Sequence, residues 1–238
     1  LVHNADLPAR SGLGSSSTFT VGLINTLFSL KKEIIDKKIL AEIALELEQN
    51  IIKESVGSQD QVAAAYGGLN HITFSKDGFN VKNIPITKEK VIALEKNLML
   101  FFTGFQRSAS KIASKQIQAI KEKNINLSES SELVTLGINT LKKDQNIDDF
   151  GMLLDEQWKI KQKYTNSISN EIIDGIYKKA IKAGAIGGKL LGAGGGGFIL
   201  FYAKKNKHAA IKKALQNLLY VPFKFENGGS KIVYSSKQ

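Results

Sequence analysis

Pro8-Ala9-Arg10-Ser11-Gly12-Leu13-Gly14-Ser15-Ser16-Ser17 is the stretch on which the reading of the fold turns. Before it, Leu1-Val2-His3-Asn4 reads as the end of a strand with no initiator Met, so an upstream segment is expected. After it, Val21, Ile24 and Phe28 recur at helical spacing and predict a helix over about residues 15–30. Gly12 and Gly14 permit a positive φ and close backbone approach. The three serines fall at the helix start, where unpaired N–H groups and the helix dipole attract anions. Their hydroxyls suit phosphate oxygens or Mg²⁺. The stretch is not a Walker A loop, because the Gly-Lys-Ser/Thr ending is absent. A serine-capped helix after a tight turn accounts for the same residues without any ligand.

Outward from this loop, Asp36 is placed to cap a second helix with Leu40, Ile43, Leu47 and Ile51 on one face. Glu48 then lies about 100° round from Leu47, at the margin of the buried face. Ser58-Gln59-Asp60-Gln61 matches a capping box for a short third helix ending at Gly67-Gly68. Asp60 sits in its first turn, where an anion is favoured. Phosphoryl transfer needs one acid to hold Mg²⁺ and another to orient the acceptor hydroxyl, and Glu48 and Asp60 fit that division. Ordinary helix-surface acids, alongside Glu42 and Glu46, fit too, and Glu46 replaces Glu48 if the register differs.

Two short strands are expected at 69–75 and 79–84, joined by Lys76-Asp77-Gly78. Asn97-Leu98-Met99-Leu100-Phe101-Phe102 reads as a buried strand ending at Thr103-Gly104. From 108 to about 182 the pattern is helical, with breaks near 124–131 and 143–148. A strand over 188–191 leads into Gly192-Ala193-Gly194-Gly195-Gly196-Gly197, followed by a strand over 198–203. Such glycine density costs backbone entropy and signals special geometry or a loose hairpin connection. A helix over about 207–219 and a hairpin of 223–226 with 231–235 around Asn227-Gly228-Gly229 close the chain. Short alternating helices and strands point to α+β layers.

The formal net charge is +11, but the lysines are spread in pairs along the chain with no aromatic ladder, which favours solvated helix faces over a nucleic-acid patch. There is no cysteine, so disulfides and thiolate metal sites are excluded. His3, His71 and His208 lack zinc-ligand spacing. No apolar run reaches membrane-span length, and a cytoplasmic protein is expected.

Pro-x-x-x-Gly-Leu-Gly-Ser-Ser resembles the nucleotide-binding motif of the GHMP kinases, although Arg10 stands where a small residue is commoner. Glu48 followed by Gly57-Ser58-Gln59-Asp60-Gln61 is similar to the Glu…Gly…Met-Asp-Gln segment of galactokinases. The run through Ala63-Ala64-Ala65-x-Gly67-Gly68-Leu69-Asn70, with Thr103-Gly104-Phe105-Gln106-Arg107-Ser108, resembles the D-glycero-D-manno-heptose 7-phosphate kinase branch. Lys189-Leu190-Leu191-Gly192-Ala193-Gly194-Gly195-Gly196-Gly197-Phe198 is similar to the family's C-terminal glycine-rich segment.

The resemblance implies a GHMP kinase fold: the remainder of a ribosomal protein S5 domain 2-like domain over 1–95 and a ferredoxin-like domain over 96–238. It implies ATP and Mg²⁺ as cofactors, and as substrate a sugar or sugar phosphate such as D-glycero-D-manno-heptose 7-phosphate, phosphorylated at its anomeric hydroxyl. Pro8, Ser11, Gly12, Leu13, Gly14, Ser15, Ser16 and Ser17 are expected at ATP, Ser16 and Glu48 at the metal, and Asp60 as catalytic aspartate. Gly57, Gln59, Arg107, Gly194 and Gly195 are expected at the acceptor. The family's N-terminal motif is absent, so part of the acceptor site is expected to be missing. A galactose- or fucose-type kinase, a non-catalytic nucleotide- or sugar-binding remnant and, third, a basic RNA-binding protein are the rival readings.

Overall fold

The computed structural model describes residues 2–9, 11–105, 109–122, 127–142 and 145–235. Arg10 and Arg107 lie outside the described residues. The chain forms two compact units, one of Leu1–Arg10, Gly14–Asn83 and Phe225–Gln238, the other of Ser11–Leu13 and Ile84–Lys224.

In the first unit α1 (Ser15–Leu30) is followed by α2 (Lys37–Glu46), α3 (Gln59–Tyr66) and a hairpin of β1 (Asn70–Ser75) with β2 (Gly78–Asn83). The expected Asp36 cap forms, its carboxylate accepting from Lys38 N at 2.7 Å. Val21 and Ile24 of α1, Leu40, Ala41 and Ala44 of α2, and Val62 and Ala65 of α3 make the core.

The apolar stripe expected to run through Leu40, Ile43, Leu47 and Ile51 fails at its far end. Ile51 is 66% exposed, while Glu48 is 1% exposed. The cause is a π-helical turn over Leu47–Ile51, closed by Ile52 N donating to Leu47 O at 2.8 Å. The wider i→i+5 turn changes the direction in which its residues point relative to an α-helix.

In the hairpin Ser75 pairs with Gly78, so Lys76-Asp77 alone form the turn and Gly78 opens β2. The C-terminal hairpin expected at 223–226 and 231–235 does not form. Its backbone is committed elsewhere: Gly68 N donates to Glu226 O at 2.7 Å and Ser230 N to Ala64 O at 2.9 Å. The Glu226 carboxylate in turn accepts from Gly228 N and Gly229 N, each at 2.8 Å. This segment therefore braces the end of α3.

In the second unit the elements are α4 (Lys88–Asn97), β3 (Leu98–Phe102), α5 (Ala109–Glu122), α6 (Ser128–Lys142), α7 (Asp148–Gln162), α8 (Glu171–Lys182), β4 (Gly187–Leu190), β5 (Phe198–Tyr202), α9 (His208–Ala214) and β6 (Leu219–Val221). The four strands form one antiparallel sheet in the order β4-β5-β3-β6. With helices between β3 and β4 and between β5 and β6, this is the ferredoxin-like βαββαβ pattern, four helices filling the first crossover.

α4 was not expected: Leu94 is its one buried residue, so it shows little apolar periodicity, and its start rests on the Thr87 cap. The helix expected over 207–219 stops at Ala214, because Leu219 leaves it to pair with Phe102 of β3. A third break in the helical region precedes α8, where Asn170 caps Ile173 N at 3.0 Å. Met99, Phe101, Ile199 and Phe201 of the sheet share a core with Trp158, Ile173, Ile176 and Ile211 from the helices. Each such large side chain, fully buried, contributes about 1.5–3 kcal/mol. Among the described residues no helix is long and apolar enough to cross a membrane.

Candidate functional site

In the first unit, Gly14 stands immediately before α1 with φ 68° and ψ 23°, a left-handed conformation that suits glycine. Its carbonyl accepts from Thr18 N at 2.8 Å and starts the helix. No side chain caps α1 and its first turn holds no acid, so the site is open to an anion at the dipole's positive end. The three serines diverge: Ser15 is half-buried, Ser16 exposed and Ser17 buried. Pro8, expected at ATP, is exposed.

The hydroxyl of Ser17 turns inward and donates to Glu48 Oε2 at 2.9 Å. The same oxygen accepts from Gln61 Nε2 at 2.5 Å. Glu48 Oε1 is buried without a hydrogen-bond partner. Glu48 continues the buried helical face of Leu40, Ala41 and Ala44, which aims its carboxylate inward; Glu46, off that face, is exposed and accepts from Asn50 Nδ2 at 2.5 Å. A buried carboxylate oxygen left bare costs free energy unless a cation or donor meets it, so Glu48 fits a metal ligand. Among the described residues no group of three or more His, Asp or Glu could enclose a metal.

Asp60 lies in the first turn of α3 and is half-buried. A β-carbon built on Gly14 would lie 3.1 Å from Asp60 Cβ and Cγ and 3.2 Å from its Oδ2. The acid thus abuts the turn that opens α1. The expected capping box does not form. Ser58, at φ −94° and ψ −5°, is already near the helical region and caps nothing. Its hydroxyl accepts instead from Gln49 Nε2 of the π-turn at 3.0 Å. Gly57 and Gln59 are exposed beside Asp60.

In the second unit, Ser11–Leu13 pack against the second glycine loop. Phe198 N donates to Ser11 O at 3.1 Å. A β-carbon on Gly12 would come within 2.9 Å of Leu191 O, and one on Gly197 within 2.1 Å of Ser11 O, so both glycines serve backbone-to-backbone approach. The loop is no loose connection. Gly195 N donates to Ile168 O at 2.8 Å, and Gly197 N to Phe105 O at 3.0 Å. Lys161 Nζ donates to Gly192 O at 2.5 Å, and Gln116 Nε2 bonds Ala193 O.

Thr103, read from the sequence as a strand end and as the first residue of the Thr103–Ser108 run, donates from Oγ1 to Gly197 O at 2.8 Å and accepts from Gly197 N at 3.1 Å. Gly194, one of the loop residues expected at the acceptor, approaches Ile168: its β-carbon would meet Ile168 O at 2.8 Å. Burial pushes the Lys189 ammonium, on the strand entering the loop, below its ordinary pKa. Ser11 Oγ is buried without a partner.

Gly14, Glu48 and Asp60, singled out from the sequence, lie before α1, in the π-turn and in the first turn of α3; the sequence did not single out Gln61 or the inward turn of Ser17. The signal for Gln61 was its place in the Gly-x-Gln-Asp-Gln run, next to the acid.

The chain is similar to known proteins in family, sequence and fold. The model of the GHMP kinases N terminal domain matches residues 1–68, and that of the GHMP kinases C terminal region matches residues 139–221. The chain is 33% identical over 218 residues to the D-glycero-alpha-D-manno-heptose 7-phosphate kinase of Campylobacter jejuni, covering 89% of this chain and 63% of that protein. It is 26% identical over 239 residues to the galactokinase of Pyrococcus furiosus, covering 88% and 66%. Among solved structures, that of a D-glycero-D-manno-heptose 1-phosphate kinase from Bacteriodes thetaiotaomicron superposes with a TM-score of 0.68 at 27% identity, over 97% of this chain and 66% of that one. The chain therefore spans less than two thirds of the length of these relatives.

Proposed function

The chain belongs to the GHMP kinases, and from that premise we propose that the whole protein transfers the γ-phosphate of ATP to a hydroxyl of a sugar phosphate. The favoured acceptor is the anomeric hydroxyl of D-glycero-D-manno-heptose 7-phosphate. Similarity to a heptose 7-phosphate kinase over most of the chain supports it, and a galactose- or fucose-type acceptor is the alternative.

The observation that carries the reading is the close approach of Asp60 to Gly14, which sets an acid beside an uncapped helix start. In this account the backbone N–H groups of Ser15–Ser17 hold phosphate oxygens, and the exposed hydroxyl of Ser16 faces the same ligand. Ser11, Gly12 and Leu13 continue that loop. Glu48 and Ser16 would hold Mg²⁺, which when bound neutralises phosphate charge. Asp60 orients the acceptor hydroxyl and takes its proton. Gly57 and Gln59, which precede Asp60 in the chain, contact the acceptor, while the acceptor role of Gly194 and Gly195, in the second unit, rests on the family resemblance alone. Most of the rate then comes from positioning and fixed charge, as is general for phosphoryl transfer.

The test is a phosphorylation assay of the whole protein with Mg-ATP against sugars and sugar 7-phosphates. Turnover concentrated on a heptose 7-phosphate supports the proposal. Turnover on galactose or fucose alone replaces the acceptor. Nucleotide binding without transfer to any sugar would reduce the protein to a binding module.

A further inference from the structure

We infer that Gln61 is a positioning residue for Glu48, its amide deciding which carboxylate oxygen is left for a cation. The inference rests on the metal-holding role proposed for Glu48. Gln61 is fully buried in the first turn of α3, one residue after Asp60. Its Nε2 donates to Glu48 Oε2 at 2.5 Å, and Ser17 Oγ donates to the same atom at 2.9 Å.

Two donors on one oxygen, arriving from different helices, fix the carboxylate against rotation about its last bond. They also divide its labour. Oε2 is satisfied, while Oε1 is buried and bare. A carboxylate has room for about four donors on its two oxygens, so placing both on one oxygen is a specific arrangement.

The amide orientation follows from pairing donor with acceptor, because the reverse assignment would set the amide oxygen 2.5 Å from a carboxylate oxygen. Gln61 Oε1 has no partner of its own, so among the hydrogen bonds of the described residues only Glu48 holds this amide. Glutamine is what the position requires. Asparagine is one methylene short, glutamate adds a like charge, and methionine fills a similar volume without a donor. Because Asp60 and Gln61 are neighbours on α3, one helical turn both carries the acceptor-side acid and locks the metal-side acid.

The experiment is Mn²⁺ binding to the whole protein with a non-hydrolysable ATP analogue, followed by the electron paramagnetic resonance of free Mn²⁺ and corrected for metal taken by nucleotide alone. Gln61→Met is expected to weaken Mn²⁺ binding by about 10-fold or more, as for the outer partners of metal ligands. Affinity for the nucleotide without metal stays within twofold of wild type, a separation that general loosening of the fold would not produce. A Gln61→Met protein with wild-type Mn²⁺ affinity overturns the inference. Should that variant fail to fold, Gln61→Asn is read by the same criterion. Wild-type protein that binds no Mn²⁺ overturns the metal assignment of Glu48 and this inference together. Wild-type binding with unchanged variants overturns this inference alone.

Discussion

The carboxylate of Asp60 is packed so closely on Gly14 that a single β-carbon at position 14 would stand 3.1 Å from Asp60 Cγ. The left-handed Gly14 therefore does two things: it starts α1 and leaves room for the acid. Gly14→Ala carries a backbone cost of roughly 1–2 kcal/mol at φ 68° and also pushes Asp60 aside. A contact at 3.1 Å is relieved by a shift of tenths of an ångström, short of the roughly 1 Å misplacement that costs on the order of 10²-fold in rate. The expected result is a transfer rate lowered by less than that factor while the protein stays folded, measured by steady-state kinetics beside a thermal melt.

Glu48→Gln keeps the shape of the side chain and removes its charge. The Mg²⁺ concentration for half-maximal rate should rise at least about 10-fold. Glu46→Gln should leave it unchanged, since Glu46 is exposed and bonded to Asn50. A Mg²⁺ titration of the two variants separates the acids that the sequence left as alternatives.

The brace between the C-terminal segment and α3 depends on glycine. A β-carbon on Gly67, at φ 64°, would sit 2.1 Å from Gly229 N. Gly67→Ala should therefore destabilise by more than about 2 kcal/mol in urea denaturation. Gly175→Ala is the control, because its β-carbon meets nothing within 4 Å in the middle of α8. It should be stabilising by about 0.5–1 kcal/mol from helix propensity.

Thr103→Val removes the hydroxyl that both gives to and takes from Gly197, in a buried position. The loss should be about 1–3 kcal/mol in chemical denaturation. Thr103→Ser, which retains the hydroxyl, should recover most of it.

The sequence made some of this architecture legible and hid the rest for identifiable reasons. α1 was readable because its apolar spacing and the Gly-Leu-Gly turn agree, and its bounds are as expected. The glycine loops were readable because so many glycines have few other uses. The π-turn was not, since an i→i+5 closure leaves no mark on apolar periodicity, and Ile51 at its end is exposed where the stripe put it inside. The Ser58 capping box misled for a related reason: the pattern was present, but Gln49 on the π-turn had already claimed the hydroxyl. The tail read as a hairpin because Asn-Gly-Gly is a turn signal whether the flanking segments pair with each other or, as here, with α3. Arg107 lies outside the described residues, and its expected contact with the acceptor stays a proposal.

The most direct test of the account is Asp60→Asn in the whole protein, which preserves shape beside Gly14 and removes the negative charge. Single-turnover transfer and nucleotide binding are measured side by side. The account predicts transfer reduced by about 10²–10⁴-fold, the range for loss of a general base, with ATP affinity within twofold of wild type. Transfer at the wild-type rate would contradict it and remove Asp60 from the mechanism.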